Sequence, residues 1–169
     1  MKGIIIMRQK LINTRSFVLP TILLGVLAVV PAVSVGVATN HSGTICKNYN
    51  ASDSNLMDYY SYGTGSLKTS TTSVICPLTR NTSSGNGAYV YVNIKHTASN
   101  TTKCTAFSYS STGNLLASAS KTWSGSGTYE FALNLVGVGK SNSWSDYSVV
   151  CTIPGNMTGL IEGVDLSEL

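Results

Sequence analysis

Few residues in this 169-residue chain have the types and spacing to do chemistry. Ser118 and Lys121 make the Ser-x-x-Lys spacing in which a lysine activates an acyl-forming serine. That chemistry needs a helix, where i and i+3 share a face; here the pair falls in an alternating strand, where they point to opposite sides. His41 and His96 are the only histidines. A Ser/His/Asp arrangement would have to use His96, and no Gly-x-Ser-x-Gly elbow supplies its nucleophile. His96 reads as an exposed strand-end residue and His41 as part of a mobile segment. Asp53, Asn55 and Asp58 form an oxygen-rich stretch of the kind calcium uses, but the glycine and closing glutamate of an EF-hand loop are missing, so Asx turns account for it. These patterns predict no catalytic residue, no metal and no cofactor.

Four cysteines, Cys46, Cys76, Cys104 and Cys151, lack any CxxC or Cys/His spacing suited to a metal. An even set in an exported chain predicts two disulfides. Three connectivities are possible; closure of moderate sequential loops favours 46 with 76 and 104 with 151.

Aromatic residues give a more suggestive pattern. Tyr59, Tyr60 and Tyr62 cluster, Tyr89 and Tyr91 share the face opposite Val90 and Val92, and Trp123 and Trp144 flank turns. Flat amphipathic rings on an uncharged polar surface can stack on sugars and hydrogen-bond their hydroxyls. The five tyrosines are therefore candidate ligand contacts, with cross-strand aromatic pairing as the structural alternative.

The elements that position these residues begin after an export signal. Lys2, Arg8, Lys10 and Arg15 precede an uncharged apolar run from Phe17 to Val30, and small residues ending in Gly36-Val37-Ala38 suit cleavage before Thr39. The uncharged stretch also approaches the length of a membrane span, but Pro20 and Pro31 favour a cleaved leader. The expected organisation is a signal peptide over 1–38 and one domain over 39–169, secreted or periplasmic. Removing the leader takes away four of eleven basic residues and no acidic one, leaving seven Lys or Arg against seven Asp or Glu. A neutral chain gives no footprint for nucleic acid, and no membrane partner is expected once the signal is gone.

Within the domain the pattern is period two almost throughout. Strands are expected at Met57 to Tyr62, Val74 to Leu78, Ala88 to Lys95, Cys104 to Ser110, Leu115 to Trp123, Tyr129 to Leu135, Tyr147 to Ile153 and Leu160 to Leu166. Pro77 puts the Val74 strand at an edge or at its end. Helix is confined to the leader. Short strands with two staples predict an all-β, antiparallel β-sandwich of jelly-roll type.

Cys76-Pro77-Leu78-Thr79-Arg80, Asn142-Ser143-Trp144-Ser145-Asp146-Tyr147 leading to Cys151-Thr152-Ile153-Pro154, and Gly159-Leu160-Ile161-Glu162-Gly163 make the chain resemble a group of small secreted bacterial proteins with four cysteines. The resemblance implies bacterial export and no catalytic role. The closing strand looks more loosely like the last strand of jelly-roll carbohydrate-binding modules. The function expected is non-enzymatic binding of an extracellular ligand, a polysaccharide or surface glycan. The alternative is a structural or interaction protein of the envelope or matrix, whose sign would be an exposed sheet edge; a small hydrolase at His96 ranks below both.

Overall fold

Alternation of apolar and polar side chains makes each segment a strand with one face to bury. The computed structural model describes residues 37–82, 85–137 and 139–169, so all but the last two residues of the expected signal peptide over 1–38 lie outside the described residues. Nine strands are present among the described residues: β1 (Val37–Ser42), β2 (Lys47–Asn48), β3 (Met57–Tyr60), β4 (Gly63–Ser66), β5 (Thr72–Leu78), β6 (Ala88–Tyr109), β7 (Leu115–Asn134), β8 (Asp146–Ile153) and β9 (Gly159–Glu168). All pairings are antiparallel.

The sheet order and register define a jelly roll. One sheet runs β4-β9-β6-β7 through residues 88–96 of β6 and 127–134 of β7, with β3 beyond β4 and β1 on the same edge of β9. The other runs β2-β5-β8-β6-β7 through residues 103–109 of β6 and 115–122 of β7. Along the chain the eight segments from β4 to β9 switch sheets in the two-Greek-key pattern. The buried faces meet in one core built from Val90, Val92 and Ile94 of β6, Phe131 and Leu133 of β7, Val149 and Cys151 of β8, and Val164 and Leu166 of β9.

Four of the expected strands are halves of two long ones. β6 and β7 are continuous over 22 and 20 residues, and Ser124-Gly125-Ser126-Gly127, whose composition reads as a turn, is the bend at which β7 crosses between sheets. His96 pairs with Gly127 and Asn100 with Gly125 on either side of the irregularity in β6. Gly127 has φ 97°, a left-handed conformation that costs a side chain and not a glycine. Two short 3-10 helices (Gly43–Ile45 and Ala51–Leu56) correct the expectation that helix is confined to the leader.

His41 is likewise corrected: it sits in β1 opposite Val164, held by the ladder. That ladder starts at Val37, two residues before the expected cleavage point at Thr39. Pro77 lies where β5 has β8 on one side and, past the two-residue β2, no partner among the described residues on the other, so its missing N–H breaks no ladder there. The disulfides join Cys46 to Cys76 and Cys104 to Cys151. The second links directly opposed residues of β6 and β8. Among the described residues no helix is long and apolar enough to cross a membrane.

Candidate functional site

The ends of β5, β7 and β9 and the start of β8 lie at one end of the sandwich, where residues 79–82 and 85–87 meet residues 135–137 and 139–145. Their junction is built on a buried ion pair. Arg80 follows β5 and Glu168 ends β9, with side-chain exposures of only 11% and 2%, and Nε lies 3.3 Å from Oε1. Glu168 Oε2 accepts the backbone N–H groups of Asn81 (2.7 Å) and Thr82 (3.1 Å), and Oε1 accepts the Thr82 hydroxyl at 3.1 Å. One carboxylate thus satisfies the turn out of β5.

Arg80 carries the tie to the second loop. Its Nη1 donates to the carbonyl oxygens of Asn142 and, at 3.2 Å, Ser145, and its Nε to that of Thr82. The guanidinium stands 5.6 Å from the ring centre of Tyr147, a cation–π contact, and burial pushes the Tyr147 phenol up. Gly137 N–H to Asn86 O (2.7 Å) and Ser141 Oγ to Gly85 O (3.0 Å) close the same seam.

That frame fixes the conformation of Asn142-Ser143-Trp144-Ser145. Asn142 Oδ1 accepts the Trp144 N–H (3.2 Å), Ser145 N–H returns to Asn142 O (3.1 Å), and Ser145 is itself buried. The indole is left 73% exposed on this Asx turn. Beside it is an open cleft of about 310 Å³ lined by Arg80, Asn81, Thr82, Ser143, Trp144 and Asp146, among others. The cleft offers an aromatic face, hydroxyls, an amide and a carboxylate. Its one cation is already neutralised by Glu168.

A second concavity, about 350 Å³, lies on the outer face of the other sheet between Tyr49 and the stacked pair Phe107–Tyr109. Its floor is Ile75, Val150, Thr105 and Thr152, with Lys103 at the rim. Tyr49, Lys103, Thr105, Tyr109, Ser148 and Thr152 bring hydrogen-bonding groups to it, but its aromatic rings lie along the sheet and none stands out from a turn as Trp144 does.

The tyrosines proposed from sequence form two separate patches. Tyr60 stacks on Tyr62 at 5.3 Å by the β3–β4 turn, where Tyr59 and Tyr62 are exposed. Tyr89 and Tyr91 are half-buried and stacked at 6.2 Å on the outer face of β6. Near Tyr91 on that face, Asp165 accepts from Asn93 Nδ2 (3.3 Å), while its Oδ1 has no partner. Burial first, and then the Glu130 charge, push the Asp165 carboxyl up.

The residues suggested for catalysis are otherwise employed. His96 is buried, 2% exposed, where an exposed strand end was expected. Its Nδ1–H donates to the Gly125 carbonyl (2.9 Å), which can only accept, so Nε2 accepts the Thr102 hydroxyl at 2.7 Å. The ring also packs 4.7 Å from Trp123, and the histidine pins the bend of the long hairpin. Ser118 and Lys121 sit opposite Phe107 and Cys104 on alternate faces of β7. Asp53 takes Lys68 Nζ at 2.9 Å, a bond that holds its carboxyl below the usual range. No group of three metal-binding side chains occurs among the described residues.

Sequence reasoning missed Arg80, Asn81, Thr82 and Glu168 as site residues. Arg80 and Trp144 stood within two of the short motifs that carried the family resemblance, but nothing linear joined them to Glu168.

No protein-family model and no curated protein sequence matches the chain. Among solved structures, it is similar to the CBM36-1 domain of a multidomain xylanase from the hindgut metagenome of Trinervitermes trinervoides, with 8% identity and a TM-score of 0.48 over 77% of this chain and 96% of that one. Podospora anserina GH26-CBM35 beta-(1,4)-mannanase matches with 9% identity and a TM-score of 0.41, over 80% of this chain and 28% of its own. The enzymatically active domain of bacteriophage CBA120 tailspike protein 4 matches with 14% identity and a TM-score of 0.37, over 79% and 18%. The class defined by fold and site together is a disulfide-braced jelly-roll sandwich with a cleft at its loop end.

Proposed function

We propose that this protein is a non-catalytic extracellular module that binds a neutral polysaccharide or surface glycan in the loop-end cleft. The observation that carries the reading is Trp144, held on a hydrogen-bonded turn with most of its indole in solvent beside Asn81, Thr82, Ser143 and Asp146. A rigid exposed indole offers the apolar face of a sugar ring a stacking surface at little entropic cost, and the neighbouring groups suit its hydroxyls. Because Glu168 offsets Arg80, the cleft has no surplus positive charge to select an acidic polymer. The two disulfides suit an oxidising compartment outside the cytoplasm, as does the export signal expected over 1–38.

Titration of the protein with a panel of soluble neutral polysaccharides, read by tryptophan fluorescence and by affinity electrophoresis, tests this. Trp144→Ala is expected to weaken binding roughly tenfold or more, equivalent to about 1.5 kcal/mol of stacking. A Tyr89→Ala/Tyr91→Ala variant should bind as the parent does. A blank panel, or binding indifferent to Trp144→Ala, would sink the proposal.

A further inference from the structure

The long hairpin leaves one strand exposed along its whole outer side. Among the described residues β7 pairs only with β6, so one edge of its backbone is without a partner there in both sheets. The other strands without a second neighbour are short, with two residues in β2, four in β3 and six in β1, and the open stretch of β5 carries Pro77. Proteins blunt free edges with proline, charge, bulges or brevity. From Leu115 to Thr128, β7 has no proline and a single charge, Lys121.

The apolar layer also runs out under this edge. Thr102, Cys104, Ala106 and Ser108 of β6 are buried, whereas of their β7 partners Trp123, Ala119 and Ala117 are only half-covered although they pack against the core, and the fourth, Lys121, is exposed. An added strand would cover them and take up the free N–H and C=O groups.

We infer that residues 115–125 of β7 pair antiparallel with the same residues of a second copy, about a two-fold axis at Ser120. The sequence is self-complementary in this register. Inward positions meet inward positions, with Ala117 opposite the partner's Trp123 and Ala119 opposite the partner's Lys121, a small side chain facing a large one each time. Shifting the axis to Lys121 would set two ammonium groups against each other. The exported domain balances seven basic with seven acidic residues, so no net charge opposes association of like chains. The pair would continue β2-β5-β8-β6-β7 into a ten-stranded sheet.

Sedimentation equilibrium from about 1 µM to 0.5 mM tests the inference, with two variants. The parent protein is expected to show twice the chain mass at high concentration and dissociate on dilution. Ser120→Lys, which puts like charges on the two-fold axis at a solvent-facing position, should remain at single-chain mass with an unchanged circular dichroism spectrum and, apart from the small loss of the exposed Ser120–Thr105 hydroxyl bond, the melting temperature of the dilute parent. Ser120→Cys should oxidise to a disulfide-linked dimer, since the native cysteines are all paired. A parent that stays at single-chain mass throughout, or a dimer undiminished in Ser120→Lys, overturns the inference. If Ser120→Lys does not fold, Ser120→Cys decides: failure to cross-link overturns it.

Discussion

Glu168 is the residue on which the loop-end cleft most depends, and its removal gives a graded prediction. Glu168→Ala leaves a guanidinium 11% exposed without its counter-charge and takes the acceptor from two backbone amides and one hydroxyl. Breaking a buried pair from one side typically costs about 3–5 kcal/mol, and an orphaned buried donor about 1–3 kcal/mol more. Two features pull this towards the lower end. Arg80 keeps the carbonyls of Thr82, Asn142 and Ser145, and water reaches Asn81, which is exposed. The expected loss is about 3 kcal/mol, or roughly 10 °C in melting temperature for a domain of this size. Glu168→Gln keeps one oxygen for the amides and puts an NH2 donor in place of the charged Oε1, which the Thr82 hydroxyl can turn to accept, for about 1.5 kcal/mol. Urea denaturation at pH 7 with unchanged slope should rank parent, Gln and Ala in that order, and polysaccharide affinity should fall in the same order as the loops loosen. Equal losses for Gln and Ala, or a loss below about 1 kcal/mol for Ala, would refute the argument that the carboxylate anchors both loops.

Three other perturbations follow from the same contacts. Cys104→Ala/Cys151→Ala opens a 47-residue loop and Cys46→Ala/Cys76→Ala a 30-residue one, so urea midpoints should show losses of about 4 and 3.5 kcal/mol; only the second should speed amide exchange around β2, whose ladder is two residues long. The Asp165 carboxyl has its folded pKa raised, so its stabilising contribution is present below the ordinary carboxylate range and lost as pH rises through the folded value. Asp165→Asn should therefore melt higher than the parent at pH 7 and lose that advantage near pH 3, and parallel melting curves across pH 3–7 would contradict it. His96→Ala empties a buried site and orphans Gly125 O and Thr102 Oγ1, for about 3 kcal/mol by urea denaturation, with polysaccharide binding unchanged because the bend is far along the strands from the cleft.

The parity of the core was legible because period two is a local signal. Val90, Val92 and Ile94, or Tyr147, Val149 and Cys151, declare their buried face within a few residues. The bend in β7 was not legible, because Ser-Gly-Ser-Gly has the same composition whether the chain reverses or kinks. Only the ladder from His96 to Gly127 and from Asn100 to Gly125 tells the two apart. His96 was misread for a related reason: a histidine at the end of an alternating segment faces solvent unless the strand continues, and here it does. For the cleft, the exposed Trp144 could be seen in a turn-rich stretch, but its setting depends on Glu168, 86 residues from Thr82 in sequence. A long-range carboxylate has no signature until the fold brings it to the loop.

One structural choice underlies both the fold and the inferred assembly. By running β6 and β7 unbroken through both sheets, the chain joins the two layers along one side with a single hairpin, pinned by His96 and kinked at Gly127. The same choice makes β7 the outer strand of both layers, so the edge that the hairpin removes from β6 reappears on β7. Continuity therefore moves the edge problem to one strand without solving it. Antiparallel pairing over residues 115–125 would bury that strand's apolar row and set the two Trp144 clefts at opposite ends of a shared sheet. Two sites facing away from each other cannot close on one short ligand, but they can hold separate segments of a polymer. A dimer of this geometry should therefore cross-link a soluble polysaccharide, and Ser120→Lys should keep single-site affinity while losing the cross-linking.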